Sequence, residues 1–583
     1  GLGEGGGGPQ FEMLEVARRV GDLEGCPKGE YTTVSSFMQG VRDELDCLPV
    51  WNGELYLELH RGTLTSIAGV KKGNRKSEIA LRNAELAWTL AALQGATYPT
   101  GTLNGLWKTL LINQFHDILP GSSIPAVNDQ AIRELSACQT QAAELAVQGL
   151  QEAHPADTGG SAAVLLANSL SWDRTGECVV RDIADDHIPA IGGTSCQRIV
   201  ELDGTPALVV SGLTVPALAT LVIPLTTGEP EETSPFKVRK QSLETPFAKV
   251  RFDRLGRIAS FVDKRTRREL VTKGGGLNTL WIGEDIPANW DNWDVDYDQA
   301  LKMQAETRLV ARTVVADGPL QLRLQLEYEL GDASRVVQHV VFHSTTARVD
   351  FETAVDWQEK HKLLKAGFTV DVLAATARHE IQYGHLERPT HENRPADRAQ
   401  FEICNHKWTD LSESRFGIAL LNDCKYGLSV RDGDMRLTLL KSGTHPDPRG
   451  DNGQHAFTYS LLPHDSGFST ESVIRPAYEL NMPVLATPTT GVPAIGKSLV
   501  QIDQTNVIVE VVKMAEDGTG LVIRLYEAER SGTWCNIGFA GNVEHVAETN
   551  MLEESGKPLT VKNSTVSLYF RPFEIKTLKI KTG

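Results

Sequence analysis

The sequence predicts a multidomain α+β protein: the end of an α/β domain, then a three-helix bundle, then several β-sandwich domains. Three observations predict it. At 583 residues the chain is too long for one hydrophobic core, since single cores stop growing at about 250–300 residues. Between residues 74 and 153 apolar residues recur at helical spacing. From Gly159 onward that period gives way to short β-rich runs between turn signals.

Residues 1–70 hold a glycine run, a helical stretch from Phe11 to Val20, and the segment Gly53-Glu-Leu-Tyr-Leu-Glu-Leu59. The alternation of Leu55, Leu57 and Leu59 predicts a strand there. This part reads as the C-terminal end of an α/β domain. Residues 71–158 predict three helices with short links. Ile79, Leu86, Leu90 and Leu93 share one helical face, and Leu103, Leu106, Trp107, Leu110 and Leu111 form a second stripe. Ala126 to His154, rich in Ala, Leu, Glu and Gln, supplies the third helix. The remainder carries Asp-Gly turns at 203–204, 432–433 and 517–518 and an Asn-Gly turn at 452–453. Strands are predicted over Ala207–Val210, Val336–Phe342 and Val507–Val512. Thr226 to Pro235 and Pro483 to Gly496 read as linkers. They divide the β part into a small sandwich (159–230), a large one (231–485) and a C-terminal one (486–583).

The composition, 41% hydrophobic and 23% charged, is that of a globular protein. A formal net charge of −17 argues against nucleic-acid binding, which needs clustered Lys and Arg. It suits a neutral ligand. No apolar run approaches the roughly 18 residues that span a bilayer, so no membrane partner is expected. The chain opens GLGEGGGGP, without an initiator Met or a charged-then-apolar leader, and reads as part of something longer. Eight scattered cysteines without a CxxC pair read as free thiols of a reducing compartment.

Two segments could carry chemistry. Asn113-Gln-Phe-His-Asp-Ile-Leu-Pro-Gly-Ser-Ser123 lies where the second helix ends at a Pro-Gly turn. His116 is a candidate zinc ligand and Asp117 a candidate for binding sugar hydroxyls. Polar capping of a helix end accounts for the same residues, and one His is not a zinc site. In Gly1-Leu-Gly-Glu-Gly-Gly-Gly-Gly-Pro9 the Glu4 carboxylate sits where glycines let backbone approach a ligand. A flexible linker is the other reading. A dinucleotide site is discounted, because no strand precedes the run.

Taken together, GEGGGGP, LPVWNGELYLELHRGTLTS (48–66), KKGNRKSE (71–78) and LWKTLLINQFHDILPGSSI (106–124) resemble glycoside hydrolase family 38. The likeness is greatest to the class II α-mannosidases of the cytosolic and vacuolar type. It continues through Ile286–Val295 (IPANWDNWDV), Arg388–His391, Phe401–Glu413, Gly417–Gly427, Asp447–Asp451 and Arg571–Leu578, in order over essentially the whole chain.

The resemblance implies a retaining, zinc-dependent hydrolase of terminal α-D-mannose in oligosaccharides, cytoplasmic or vacuolar. The leading α/β part would be the end of a catalytic domain, and the large sandwich would be mutarotase-like. His116 matches a zinc ligand of the family, and Asp117 a residue holding sugar hydroxyls. Glu4 matches the position of the catalytic acid/base, where the family usually has Asp, one methylene shorter. The family's nucleophile and its His-x-Asp zinc ligands lie upstream of the glycine run, so this chain alone is expected to be inactive. His445-Pro-Asp447 is read as a coincidental His-x-Asp. Trp290 and Trp293 are expected in the core or at a domain interface, and His391 and His406 as hydrogen-bonded loop residues. Arg449, Asp451 and His455 are candidates for reaching over the site from the β part. A homo-oligomer is compatible with the resemblance. The competing reading is a non-catalytic carbohydrate-binding or structural β-sandwich protein.

Overall fold

The computed structural model describes residues 7–45, 48–157, 159–305 and 308–582. They fall into two compact units, one ending at Tyr56 and one beginning at Leu57. The first contains helix α1 (Phe11–Val20), as predicted, and helix α2 (Val34–Glu44), which the sequence reading missed. Thr33 caps α2, its hydroxyl accepting from the Ser36 amide at 3.2 Å. Neither helix buries a residue. The strand expected over Gly53–Leu59 does not form, and Leu55, Leu57 and Leu59 are exposed. Alternation makes a strand only when a neighbour takes up its backbone hydrogen bonds, and among the described residues no strand pairs with this segment.

The second unit begins with three helices: α3 (Ala68–Ala92), α4 (Thr100–Asn113) and α5 (Pro125–Ala153). Pro125 opens α5, where a missing N–H costs nothing. The helices close on Val70, Leu81, Ala84, Ala87, Leu103, Leu106, Leu110, Leu135 and Ala142. Helix α3 also faces away from this core. Leu86 and Leu90 pack into the C-terminal sandwich, and Ile79 packs with Trp172, Trp408 and Tyr478. The Leu stripe read from the sequence is thus the side turned to the β part, and the small residues Ala80, Ala84 and Ala87 face the bundle. Small residues let α3 and α5 approach closely. At Gly149 a Cβ would lie 2.9 Å from the backbone of Ala87 and Trp88.

From Ala162 the strands pair antiparallel, joined by loops and short helical segments such as Arg475–Asn481, whose Ala477 and Tyr478 enter the core. A small sandwich pairs Ala162–Asn168 with Ala219–Thr227, and packs Val164, Leu166, Leu221 and Ile223 against Val180, Leu208 and Val210. The segment Pro483–Gly496, read as a linker, supplies this sandwich with two strands, Leu485–Thr490 and Ala494–Ile495. Leu485–Thr490 is the edge strand, where Pro488 lacks no ladder bond. The large β region has a ten-stranded and a nine-stranded sheet. Phe368 from one meets Phe351 and Tyr459 from the other at 5.7 and 6.1 Å between ring centroids. The last region holds two sheets around Val509, Ile523, Ile537, Phe570 and Leu578. The architecture is mixed, with helical segments and several sandwich-like β domains.

Candidate functional site

Helix α4 ends in the segment the sequence singled out, and the structure shows what each polar residue of it does. Asn113 and Gln114 are tied inward. Asn113 Nδ2 donates to Glu134 Oε2 at 2.8 Å, and Gln114 Nε2 donates to Asn74 Oδ1 at 3.0 Å and Glu78 Oε1 at 2.9 Å. Burial raises the Glu78 carboxyl above its ordinary value, against the pull of Arg75 and its hydrogen bonds. His116 and Asp117 point outward instead, with side chains 73% and 45% exposed. His116 Nε2 stands 3.5 Å from Asp117 Oδ2, and Ser122 donates to Asp117 Oδ1 at 3.2 Å. Phe115 lies against the His116 ring at 4.3 Å between centroids.

The turn that follows is held by two side chains, Lys71 and Asn292. Lys71 Nζ donates to the carbonyls of Ser66, Leu119 and Pro120 at 2.6, 3.1 and 3.0 Å. Asn292 Nδ2 donates to the Gly121 carbonyl at 3.1 Å. Gly121 has φ +75°, and a Cβ there would sit 2.2 Å from the Ser66 carbonyl oxygen, so this turn requires glycine.

The start of α3 is docked on the large β region. Asp451 Oδ1 accepts from the Ala68 amide at 2.6 Å, and Oδ2 from the Lys441 amide at 2.9 Å. Arg75 donates to Asn422 Oδ1 at 3.1 Å and to the Tyr426 hydroxyl at 3.0 Å, and Lys76 pairs with Asp423 at 3.0 Å. Lys71, Asn74, Arg75 and Glu78 therefore form the polar face of KKGNRKSE, spaced i, i+3, i+4 and i+7. That spacing was the signal available in the sequence for these supports.

The other candidates settle as follows. Glu4 lies outside the described residues. Asp447 is buried and spends its carboxylate on Arg449 at 2.7 Å and Asn128 at 3.0 Å, as part of the seat of α5. Arg449 also pairs with Asp129 at 3.0 Å, and His455 Nε2 lies 2.5 Å from the Asp451 carbonyl. The side chains of Arg449 and Asp451 thus fasten helix starts. Trp290 departs from expectation: it is 64% exposed, because its carbonyl accepts from the Trp293 and Asp294 amides in a tight turn that leaves the indole outside. Trp293 is half-buried, edge-on to His60 at 4.7 Å. His406 sits beside Gln382 at 3.2 Å, and His391 accepts from the Asn393 amide at 3.4 Å.

An imidazole nitrogen and a carboxylate oxygen are ligand types that zinc takes. His116 fits that donor set as one of about four positions, with the Asp117 carboxylate beside it. Among the described residues no group of three His, Cys, Asp or Glu side chains is arranged to hold a metal ion.

Comparison with known proteins agrees along the chain. Residues 58–152 match the family model for the alpha mannosidase middle domain. Residues 243–449 match the glycosyl hydrolases family 38 C-terminal domain, and 506–578 the family 38 C-terminal beta sandwich domain. The chain is 35% identical to alpha-mannosidase 2C1 of Homo sapiens, an alignment covering 99% of this chain and 55% of that protein. It is 33% identical to alpha-mannosidase G of Dictyostelium discoideum, covering 99% and 57%. The chain spans about half the length of the curated relatives it matches. In fold it is similar to the crystal structure of an alpha-mannosidase from Enterococcus faecalis V583, with a TM-score of 0.76 at 17% identity, covering 94% of this chain and 72% of that one.

Proposed function

We propose, for a chain that is a homologue of the glycoside hydrolase family 38 α-mannosidases and carries their C-terminal domains, membership of a retaining, zinc-dependent α-mannosidase. Its substrates are oligosaccharides ending in α-linked mannose, and its compartment is cytoplasmic or vacuolar. The observation that supports this most is the turn after α4. Asn113 and Gln114 are bonded inward and Lys71 gathers the carbonyls of the turn, whereas His116 and Asp117 are presented outward side by side. A preorganised pair on a rigid support is what a binding site needs.

In this reading His116 is one protein ligand of the zinc. The metal, when bound, orients the mannose hydroxyls and favours distortion of the ring. Asp117 accepts hydrogen bonds from sugar hydroxyls, which strengthen as the ring approaches its oxocarbenium-like transition state. Its bond from Ser122 keeps the carboxylate in place. Retention requires two carboxyl groups about 5–5.5 Å apart, a nucleophile and an acid/base. Glu4 is the candidate here for the acid/base. We divide the chain at 70, 158, 230 and 485 into the end of the catalytic domain, the helical bundle and three sandwiches, the large one mutarotase-like, with the strands Leu485–Thr490 and Ala494–Ile495 returning to the small sandwich.

The test uses the complete protein, an aryl α-mannoside and metal analysis. His116→Ala should lower zinc content and activity together. Asp117→Asn should keep the metal and lose rate. Full activity and full zinc content in His116→Ala would refute the assignment.

A further inference from the structure

Lys71 is a buried ammonium, and no carboxylate lies within ion-pair distance of it among the described residues. An ammonium carries three N–H bonds, and each of these meets a carbonyl: Ser66 at 2.6 Å, Leu119 at 3.1 Å and Pro120 at 3.0 Å. Ser66 lies just before α3, and Leu119 and Pro120 follow Asp117 in the turn. Bonds from a charged donor are the stronger kind. Removing the ammonium would leave three carbonyls unpaired at one point.

We propose that Lys71 is the positioning residue for the His116–Asp117 pair. By drawing the carbonyls of Ser66, Leu119 and Pro120 to one atom, it fixes the turn that carries both side chains against the start of α3. This rests on the reading of His116 as a metal ligand and Asp117 as a sugar ligand. Lys71 touches neither the metal position nor the substrate; it acts through the backbone.

The charge state of Lys71 offers an independent handle. Burial pulls its pKa down to about 7; Asp451 and Cys404 oppose this, and Lys425 reinforces it. A neutral amine has only two N–H bonds, so one of the three carbonyls is released as pH rises through about 7.

The experiment uses the complete protein and its Lys71→Met variant. Zinc affinity is measured by chelator competition, and protection of the turn by hydrogen exchange, including the Gly121 amide that donates to the Ile118 carbonyl at 3.0 Å. In Lys71→Met, zinc affinity should fall about ten- to a hundredfold, as for other groups that support metal ligands. Turn protection should fall at about pH 6, with circular dichroism unchanged. In the unsubstituted protein, protection of the turn should decline between about pH 6 and pH 8.5, and Lys71→Met should abolish that decline. A folded Lys71→Met with unchanged zinc affinity and unchanged protection overturns the proposal. Should the variant fail to fold, pH-independent protection in the unsubstituted protein overturns it alone. Zinc affinity that survives His116→Ala would refute the ligand assignment instead, and turn protection would still judge Lys71.

Discussion

His343 sits between two carboxylates deep in the β part. Its Nδ1 lies 2.8 Å from Glu177 and its Nε2 2.9 Å from Asp350. Arg348 holds Asp350 from the other side at 2.7 Å, and Ser460 donates to it at 2.6 Å. Burial alone would lower the His343 pKa, but Glu177 and Asp350 outweigh it and push it up to about 9. Asp350 moves the opposite way, well below the carboxylate range, held against burial by Arg348 and His343. The imidazolium pKa is raised from 6.5 to about 9, which corresponds to about 3 kcal/mol of linked stability. A folded-state pKa above the unfolded one means this contribution is full below about pH 6.5 and is lost as pH rises through about 9. His343→Gln cannot carry the charge, so it leaves Glu177 without a charged partner and Asp350 with Arg348 alone, at a cost of about 3–5 kcal/mol near pH 6. Urea unfolding followed by hydrogen exchange on the strand Ser334–His343 measures both quantities. The unsubstituted protein should lose its advantage over His343→Gln on going from about pH 6 to pH 10. A stability difference between the two that is the same at both pH values would refute the charged-bridge reasoning.

Three further outcomes are expected. Gly121→Ala should destabilise the turn by about 2–5 kcal/mol, from a left-handed backbone and a Cβ forced onto Ser66; loss of Gly121 amide protection is the readout. Trp408 is 1% exposed and packs with Trp172, Leu170 and Tyr478, so Trp408→Ala should cost about 3–5 kcal/mol in urea unfolding. The purified 583-residue chain by itself should hold no stoichiometric zinc and release no aryl leaving group, since His116 is one ligand of a site that needs about four; one tightly bound zinc lost on His116→Ala would contradict this.

What the sequence alone determined is what adjacent residues control. Periodicity located α1 and the three bundle helices, and turn signals marked the change to sheet near Gly159, because helical and strand spacing are properties of neighbouring side chains. That His116 and Asp117 stand at a helix end was legible for the same reason, whereas the roles proposed for them come from the resemblance and not from local spacing. The tertiary structure decided everything that depends on distant partners. The Gly53–Leu59 alternation found no sheet neighbour among the described residues, whereas the Pro-rich segment after Pro483 found one in Ala162–Asn168. Helix α3 proved buried on two sides, with its Ala stripe toward α5 and its Leu stripe toward the sandwich. The supports of the site came from far along the chain: Asp451 meets Ala68 across 383 positions, and Asn292 meets Gly121 across 171. No local pattern encodes such pairings, because they exist only once hydrophobic packing has brought the segments together, and there a buried polar group must find a partner or cost stability.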